Sequence, residues 1–340
     1  MEFVKNCWYI AAWVKEVEAG SILARRICDI PLAIFMADDG PKALYDSCPH
    51  RFAPLSRGTV ENGSIVCGYH GLGFSGDGTC TKNPHGPITK SMCVKSYPAF
   101  ERHRAIWVWL GDAAKADPAL IPALEFQDTS YDTALSFGYL HGEADYKLYV
   151  DNIMDLSHAD FLHAATLGGS FVGTKQDVKE DETTVTARWS QKDMKPNALH
   201  VSIGTFPADA RVDRFTEVKF HAPCTMVLIS AFGELNAQED DYLKTFGAHV
   251  MVPETESTVH YFFSSSRNFR MEDGEFNRIY VSKRDSVFIT EDKPMIDAVQ
   301  ERMGGRDLFE MKPLLLKTDD AAIRARRKIN LLLKKEQEIV

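Results

Sequence analysis

Apolar residues between positions 21 and 109 fall in short β-rich runs at 25–35, 43–45, 65–67 and 105–109. Turn-forming clusters, Asp38-Asp39-Gly40-Pro41 and Glu61-Asn62-Gly63, divide them. This pattern predicts a small antiparallel β domain. Around 111–122 Gly, Asp, Ala and Pro gather without periodicity, which places a connection there and gives domains of 1–115 and 116–340. Beyond it, strand-like alternation at 183–189, 215–220, 226–229 and 259–263 mixes with helical stretches at 151–163, 277–303 and 320–333. The expectation is an α+β chain whose second domain holds an antiparallel sheet with helices.

The chain has 340 residues, 44% hydrophobic and 26% charged, enough for two ordinary cores. Its 39 basic and 48 acidic residues leave a net charge of −9, so no general basic field exists to hold nucleic acid. No apolar run approaches the roughly 18 to 20 residues that cross a bilayer, so no membrane span is expected. The start carries no secretory pattern, which places the chain in the cytoplasm. Seven scattered cysteines in a reducing compartment suit metal ligands and buried thiols better than disulfides. Gly71, Gly73, Gly76 and Gly78 lack the strand-turn-helix context of a nucleotide loop. Electrons for any redox chemistry must therefore arrive from another protein.

Cys48-Pro49-His50-Arg51, and after sixteen residues Cys67-Gly68-Tyr69-His70-Gly71, form two arms, each with one thiol and one imidazole. A [2Fe–2S] cluster held by two Cys on one iron and two His on the other uses this mixed set. A Cys2His2 zinc site is the rival, though its usual spacing pairs Cys with Cys. Pro49, Gly68, Gly71, Gly78 and Pro84 suit tight loops around either group.

A second polar cluster, Asn152, Asp155, His158 and His163, interrupts an apolar helical stretch. At about 100° per residue Asn152, Asp155 and His158 share a face, while His158 and His163 lie about 140° apart. A bulge or break between the two histidines is predicted if both reach one ion. Two His plus a distant carboxylate suit non-haem Fe(II); a pair of structural histidines is the alternative. On the late helix, Asp292 shares a face with Phe288, Met295, Ile296 and Val299, so it points inward, unless it merely caps the helix ahead of Pro294. Glu291 is the second candidate.

These motifs resemble those of the Rieske-type non-haem iron ring-hydroxylating oxygenases, over most of the chain. Ala53 and Tyr69 stand where respiratory Rieske proteins carry additional cysteines, which favours the oxygenase and ferredoxin branch. Within the family the chain is most similar to the short oxygenases that lack a small β subunit, such as the vanillate and dicamba O-demethylase and toluenesulfonate methyl-monooxygenase oxygenase components. Segments 6–13, 96–98, 106–109, 260–263 and 266–269 support that placement.

The resemblance implies an N-terminal Rieske domain and a C-terminal helix-grip (START-like) domain. It implies that Cys48, His50, Cys67 and His70 hold the cluster, with Asn83-Pro84-His85-Gly86 as a third loop over it and His85 on the surface. His158, His163 and Asp292 would hold mononuclear Fe(II), with Asp155 as a buried bridging acid and Asn152 nearby. Implied partners are an NAD(P)H-dependent reductase, a ferredoxin, O2, a small and acidic aromatic substrate, and two further copies in a homotrimer. Implied chemistry is hydroxylation or O-demethylation; ring cis-dihydroxylation, N-dealkylation and simple electron transfer stand as alternatives. His249 matches a position near the substrate, or is a core histidine. Phe161, Leu162 and Leu167 line the pocket or pack the core. The basic stretch 324–335 receives an acidic ferredoxin or forms a solvated helix face.

Overall fold

A computed structural model describes residues 3–168 and 171–338. The chain divides into two compact units, Met1–Ala123 and Leu124–Val340, where the sequence placed the division at 115/116.

The first unit is built from three antiparallel sheets. Ala105–Leu110 is apolar throughout and buried on both faces, so it becomes a central strand, between Cys7–Trp13 and Ala99–Arg102. Asn62-Gly63, both at positive φ, close the two-residue hairpin joining Thr59–Glu61 to Ser64–Val66. The run read as one strand at 25–35 is instead a hairpin. Cys28 and Asp29 turn the chain at φ 52° and 63° between Ile22–Ile27 and Ile30–Ala37.

The second unit holds a seven-stranded antiparallel sheet. Its order is Ser136–Gly142, Thr258–Arg267, Leu243–Thr255, Thr225–Glu234, Val212–His221, Thr184–Met194 and Gln176–Glu180. Helix Tyr146–Met154 packs on strand Leu243–Thr255 and on helices Lys293–Met303 and Asp320–Gln337. A buried ion network fastens it: Arg326, 2% exposed, donates through Nε and Nη2 to Asp151 at 2.6 to 2.9 Å. Lys147 sits between Asp145 and Asp307 at 3.3 and 3.2 Å. Arg326 and Lys328 are thus internal, so the stretch 324–335 is neither a free basic patch nor wholly a solvated face. Among the described residues no helix is long and apolar enough to cross a membrane.

Two helices depart from the sequence expectation. The stretch 151–163 is not one helix: it ends at Met154, Asp155 is extended, and a 3-10 helix covers Leu156–Asp160. Asp155 therefore leaves the face it was expected to share with Asn152 and His158. The late helix runs from Gly274–Val287 through a π-turn at Phe288–Asp292 into Lys293–Met303. Along Lys293–Met303 the buried stripe runs through Asp292, Ile296 and Met303, at i, i+4 and i+11, which leaves Met295 and Val299 exposed beside it.

Candidate metal centres and the substrate cavity

In the first unit the two Cys-His loops share one hydrogen-bond pattern. Cys48 N–H donates to Ala53 O and Phe52 N–H to Cys48 O; Cys67 N–H donates to Leu72 O and Gly71 N–H to Cys67 O. The fourth residue after each cysteine, Phe52 or Gly71, takes positive φ. A Cβ on Gly71 would lie 3.2 Å from Pro84 of the third loop, which ties that position to glycine. Both thiols are buried among Phe35, Leu44, Leu55 and Phe74. The His50 and His70 rings stand at the surface side, 4.4 Å apart.

Burial pushes the Cys48 thiol up, and neighbouring Cys67 adds to the rise against the backbone N–H groups of His50 and Arg51. Desolvation and the charges of His50, His85 and Arg51 push His70 down. Two thiols and two imidazoles facing one another suit a soft cation cluster, which favours the deprotonated thiolates. His85 is exposed and reaches His70 O at 2.9 Å through Nε2, so it braces the loop instead of joining the donor set.

In the second unit the break at Asp155 and the turn at Phe161 bring both histidines to one point. The His158, His163 and Asp292 donor atoms lie within 4.8 Å of one another. Asp292 Oδ1 is 3.1 Å from His163 Nε2, 3.4 Å from His158 Nε2 and 3.0 Å from Asn152 Nδ2. Burial opposes its ionisation, but the two histidines and Asn152 outweigh it and hold the carboxyl down to about 2. The side chain makes no capping bond, so the capping reading falls.

The outer ring nitrogens are fixed as a metal needs them. His158 Nδ1 meets Asp155 O at 2.6 Å, and His163 Nδ1 meets Glu291 Oε2 at 2.7 Å, which turns each Nε2 towards Asp292. Burial pulls His163 down, yet Asp292 and Glu291 raise it overall. A cation among the three donors would take the place of that proton. Glu291, the second candidate for the third donor, orients His163 and also accepts from Thr166 Oγ1 at 3.0 Å. Asp155 meets His158 through its main-chain carbonyl, while its carboxylate accepts from Ser157 N–H at 2.9 Å. Asn152 Oδ1 is buried with no partner among the described residues.

These groups open on a cavity of about 210 Å³. A cavity of about 150 Å³ takes benzene, so a substituted single ring fits. Alternate residues of four neighbouring strands form one wall: 214 and 216; 228, 230 and 232; 245, 247 and 249; 261, 263 and 265. His249 is on it, its Nδ1 2.5 Å from Tyr261 OH, and burial followed by the Arg284 charge pushes its pKa down to about 3. Leu167 lines the cavity, whereas Phe161 is 76% exposed and serves neither pocket nor core. Arg214, Arg284, Tyr261 and His200 also line the cavity and were not among the residues expected there. The strand alternation that aims Arg214 and Tyr261 inward was visible, but the buried face was not.

Residues 7–98 match the Rieske [2Fe-2S] domain family, and residues 142–335 the family described as the vanillate O-demethylase oxygenase C-terminal domain. The dicamba O-demethylase oxygenase component of Stenotrophomonas maltophilia is 37% identical across 98% of this chain and 98% of its own length. The chloroacetanilide N-alkylformylase oxygenase component of Rhizorhabdus wittichii is 34% identical across 98% and 97%. A crystal structure of dicamba monooxygenase with non-heme iron and dicamba superposes with a TM-score of 0.87 at 35% identity, covering 100% of both chains.

Proposed function

The chain belongs to the Rieske-type non-haem iron oxygenases, a [2Fe–2S] Rieske domain preceding a mononuclear-iron oxygenase domain, and from that premise we propose that it hydroxylates or O-demethylates a small aromatic acid. Membership removes the zinc reading of the first Cys-His set and the purely electron-carrying reading of the whole. The observation that carries the proposal is the convergence of His158, His163 and Asp292 on a mostly apolar cavity of single-ring size.

In this reading Cys48, Cys67, His50 and His70 would hold the cluster, and His158, His163 and Asp292 would hold the ferrous ion. When bound, the cluster supplies single electrons and the iron activates O2. Asp155 O and Glu291 each engage one Nδ1 and so fix the orientation of the two imidazoles. Asn152 steadies the Asp292 oxygen through Nδ2 and turns its carbonyl oxygen to the cavity side. Tyr261 takes up one nitrogen of His249, which leaves Nε2 to meet the substrate's polar substituent. Apolar walls from Ile153, Leu156, Phe246 and Phe288 exclude water from the ring.

Removal of a methoxy methyl consumes O2, an electron pair and two protons, and yields the phenol, formaldehyde and water. Electrons come from NAD(P)H through a separate reductase, directly or by a ferredoxin, because the chain has no nucleotide-binding fingerprint. A cytoplasmic homotrimer, in which one copy's cluster serves its neighbour's iron through Asp155, completes the reading. An N-alkyl group is the second substrate type, favoured by the 34% identity to an N-alkylformylase component. The test is a panel of methoxybenzoates, aryl sulfonates and N-alkyl aromatics with a surrogate reductase, following formaldehyde and phenol or amine against NADH and O2. Coupled product release from one class supports the proposal; NADH and O2 consumption without any dealkylated or hydroxylated product refutes it.

A further inference from the structure

The cavity has a second polar end that the metal set does not use. Arg214 is 5% exposed yet lines the cavity. Its guanidinium lies 5.7 Å from the Phe171 ring and 6.0 Å from the Phe232 ring, and its Nε–H donates to Gln191. Thr216, two residues on, shares its face. Register carries that face across the sheet, because Thr216 is opposite Ser230 and Ser230 opposite Thr245. All three residues line the cavity, and the Thr245 hydroxyl donates to Ser230 O at 3.4 Å.

His200, on helix Ala198–Ser202, closes the same end with its ring 4.2 Å from Phe232. It is 3% exposed, and its Nδ1 has no hydrogen-bond partner among the described residues. Burial and the Arg214 charge push it down to about 4, so it is a neutral ring able to donate one N–H. A buried guanidinium, an imidazole nitrogen and a row of hydroxyls facing one space form a donor-rich end suited to a planar or tetrahedral oxyanion. The other cavity arginine, Arg284, pairs with Asp285 beside it and donates to Ser265, whereas the carboxylate whose charge acts on Arg214 is that of Asp160.

We infer that Arg214, His200, Thr216 and Ser230 form the anion-recognition end of the cavity, holding the carboxylate or sulfonate of an aromatic acid so that its alkyl substituent is presented to the His158, His163 and Asp292 wall. The inference rests on the reading above that this cavity holds the aromatic substrate. It assigns the acid group to Arg214 instead of His249, the residue that the family resemblance sets near the substrate.

The test measures calorimetric binding of 4-methoxybenzoate, toluene-4-sulfonate and neutral 4-methoxybenzamide to the holoenzyme. Wild type is expected to prefer at least one anion to the amide. Arg214→Gln should weaken that anion's binding roughly 10- to 150-fold, the range of a hydrogen bond to a charged group, and move the amide little. Arg214→Lys should restore part of the loss. Which anion responds separates carboxylate from sulfonate recognition. Should Arg214→Gln not fold, Ser230→Ala, which removes a single hydroxyl, should weaken the anion alone by a few-fold. Wild type binding the amide as tightly as both anions, or either variant weakening amide and anion alike, overturns the inference. If anions bind at Arg214 but no methyl is removed, the proposed function fails alone; if neutral ethers are demethylated as readily as acids, the anion site fails alone.

Discussion

Removing the Glu291 carboxylate should weaken the iron site without touching a ligand. Its Oε2 takes the His163 Nδ1–H at 2.7 Å and the Thr166 hydroxyl at 3.0 Å, while His163 itself is 2% exposed. In Glu291→Gln the acceptor remains but its charge is lost. A charged hydrogen bond contributes about 1.5 to 3 kcal/mol and a neutral one about 0.5 to 1.5, so the loss is about 1 kcal/mol, or five- to tenfold in iron affinity. Glu291→Ala leaves the buried imidazole N–H unsupported and frees the ring to turn. Loss of such an outer partner costs about 10- to 100-fold, or about 1.4 to 2.7 kcal/mol. Competition with a ferrous chelator, reading iron retained per chain, measures both, and the visible spectrum of the Rieske cluster serves as internal control. Wild-type iron retention by Glu291→Ala, or equal loss of the cluster, would refute this account of Glu291.

Asp155→Asn should leave both metal groups in place yet slow electron delivery and uncouple NADH use from product; near-normal turnover defeats its bridging role. Arg326→Leu strands buried Asp151 and should cost about 3 to 5 kcal/mol in urea denaturation, while Asp151→Leu combined with it should recover most of that loss. A double variant no more stable than Arg326→Leu contradicts this. His200, held down to about 4 against an ordinary value near 6.5, binds a proton more readily when unfolded. Stability should therefore fall as pH drops from about 6.5 to about 4, by up to roughly 3 kcal/mol, and His200→Phe should flatten that part of the profile. An unchanged slope rules the assignment out.

The chemistry was more legible in the sequence than the geometry that delivers it. Cys48, His50, Cys67 and His70 stand in two short loops, so spacing alone brings them near one another. Asn62-Gly63 marked its turn because both residues tolerate positive φ, while in Cys28-Asp29 only Asp29 carries that tolerance. The break near His158 followed from helical angles, but its place did not. Asp155 leaves the helix because its carboxylate caps the next turn at Ser157. The inward aim of Asp292 was readable, whereas its neighbours Met295 and Val299 flank a narrower buried stripe through Ile296 and Met303, and apolar character alone does not tell the flank from the centre. Arg214 lay hidden because a charged residue in a strand reads as solvent-facing until the register shows it beside Phe232.

The central claim, one paired-iron cluster and one separate ferrous centre in a single chain, is tested most directly by iron and sulfide analysis with electron paramagnetic resonance on the reconstituted protein. About three irons and two sulfides per chain are expected, with a Rieske signal that persists in His158→Ala/His163→Ala while the iron count falls to about two. Two irons in the wild type, or loss of the Rieske signal with those histidines, would contradict it.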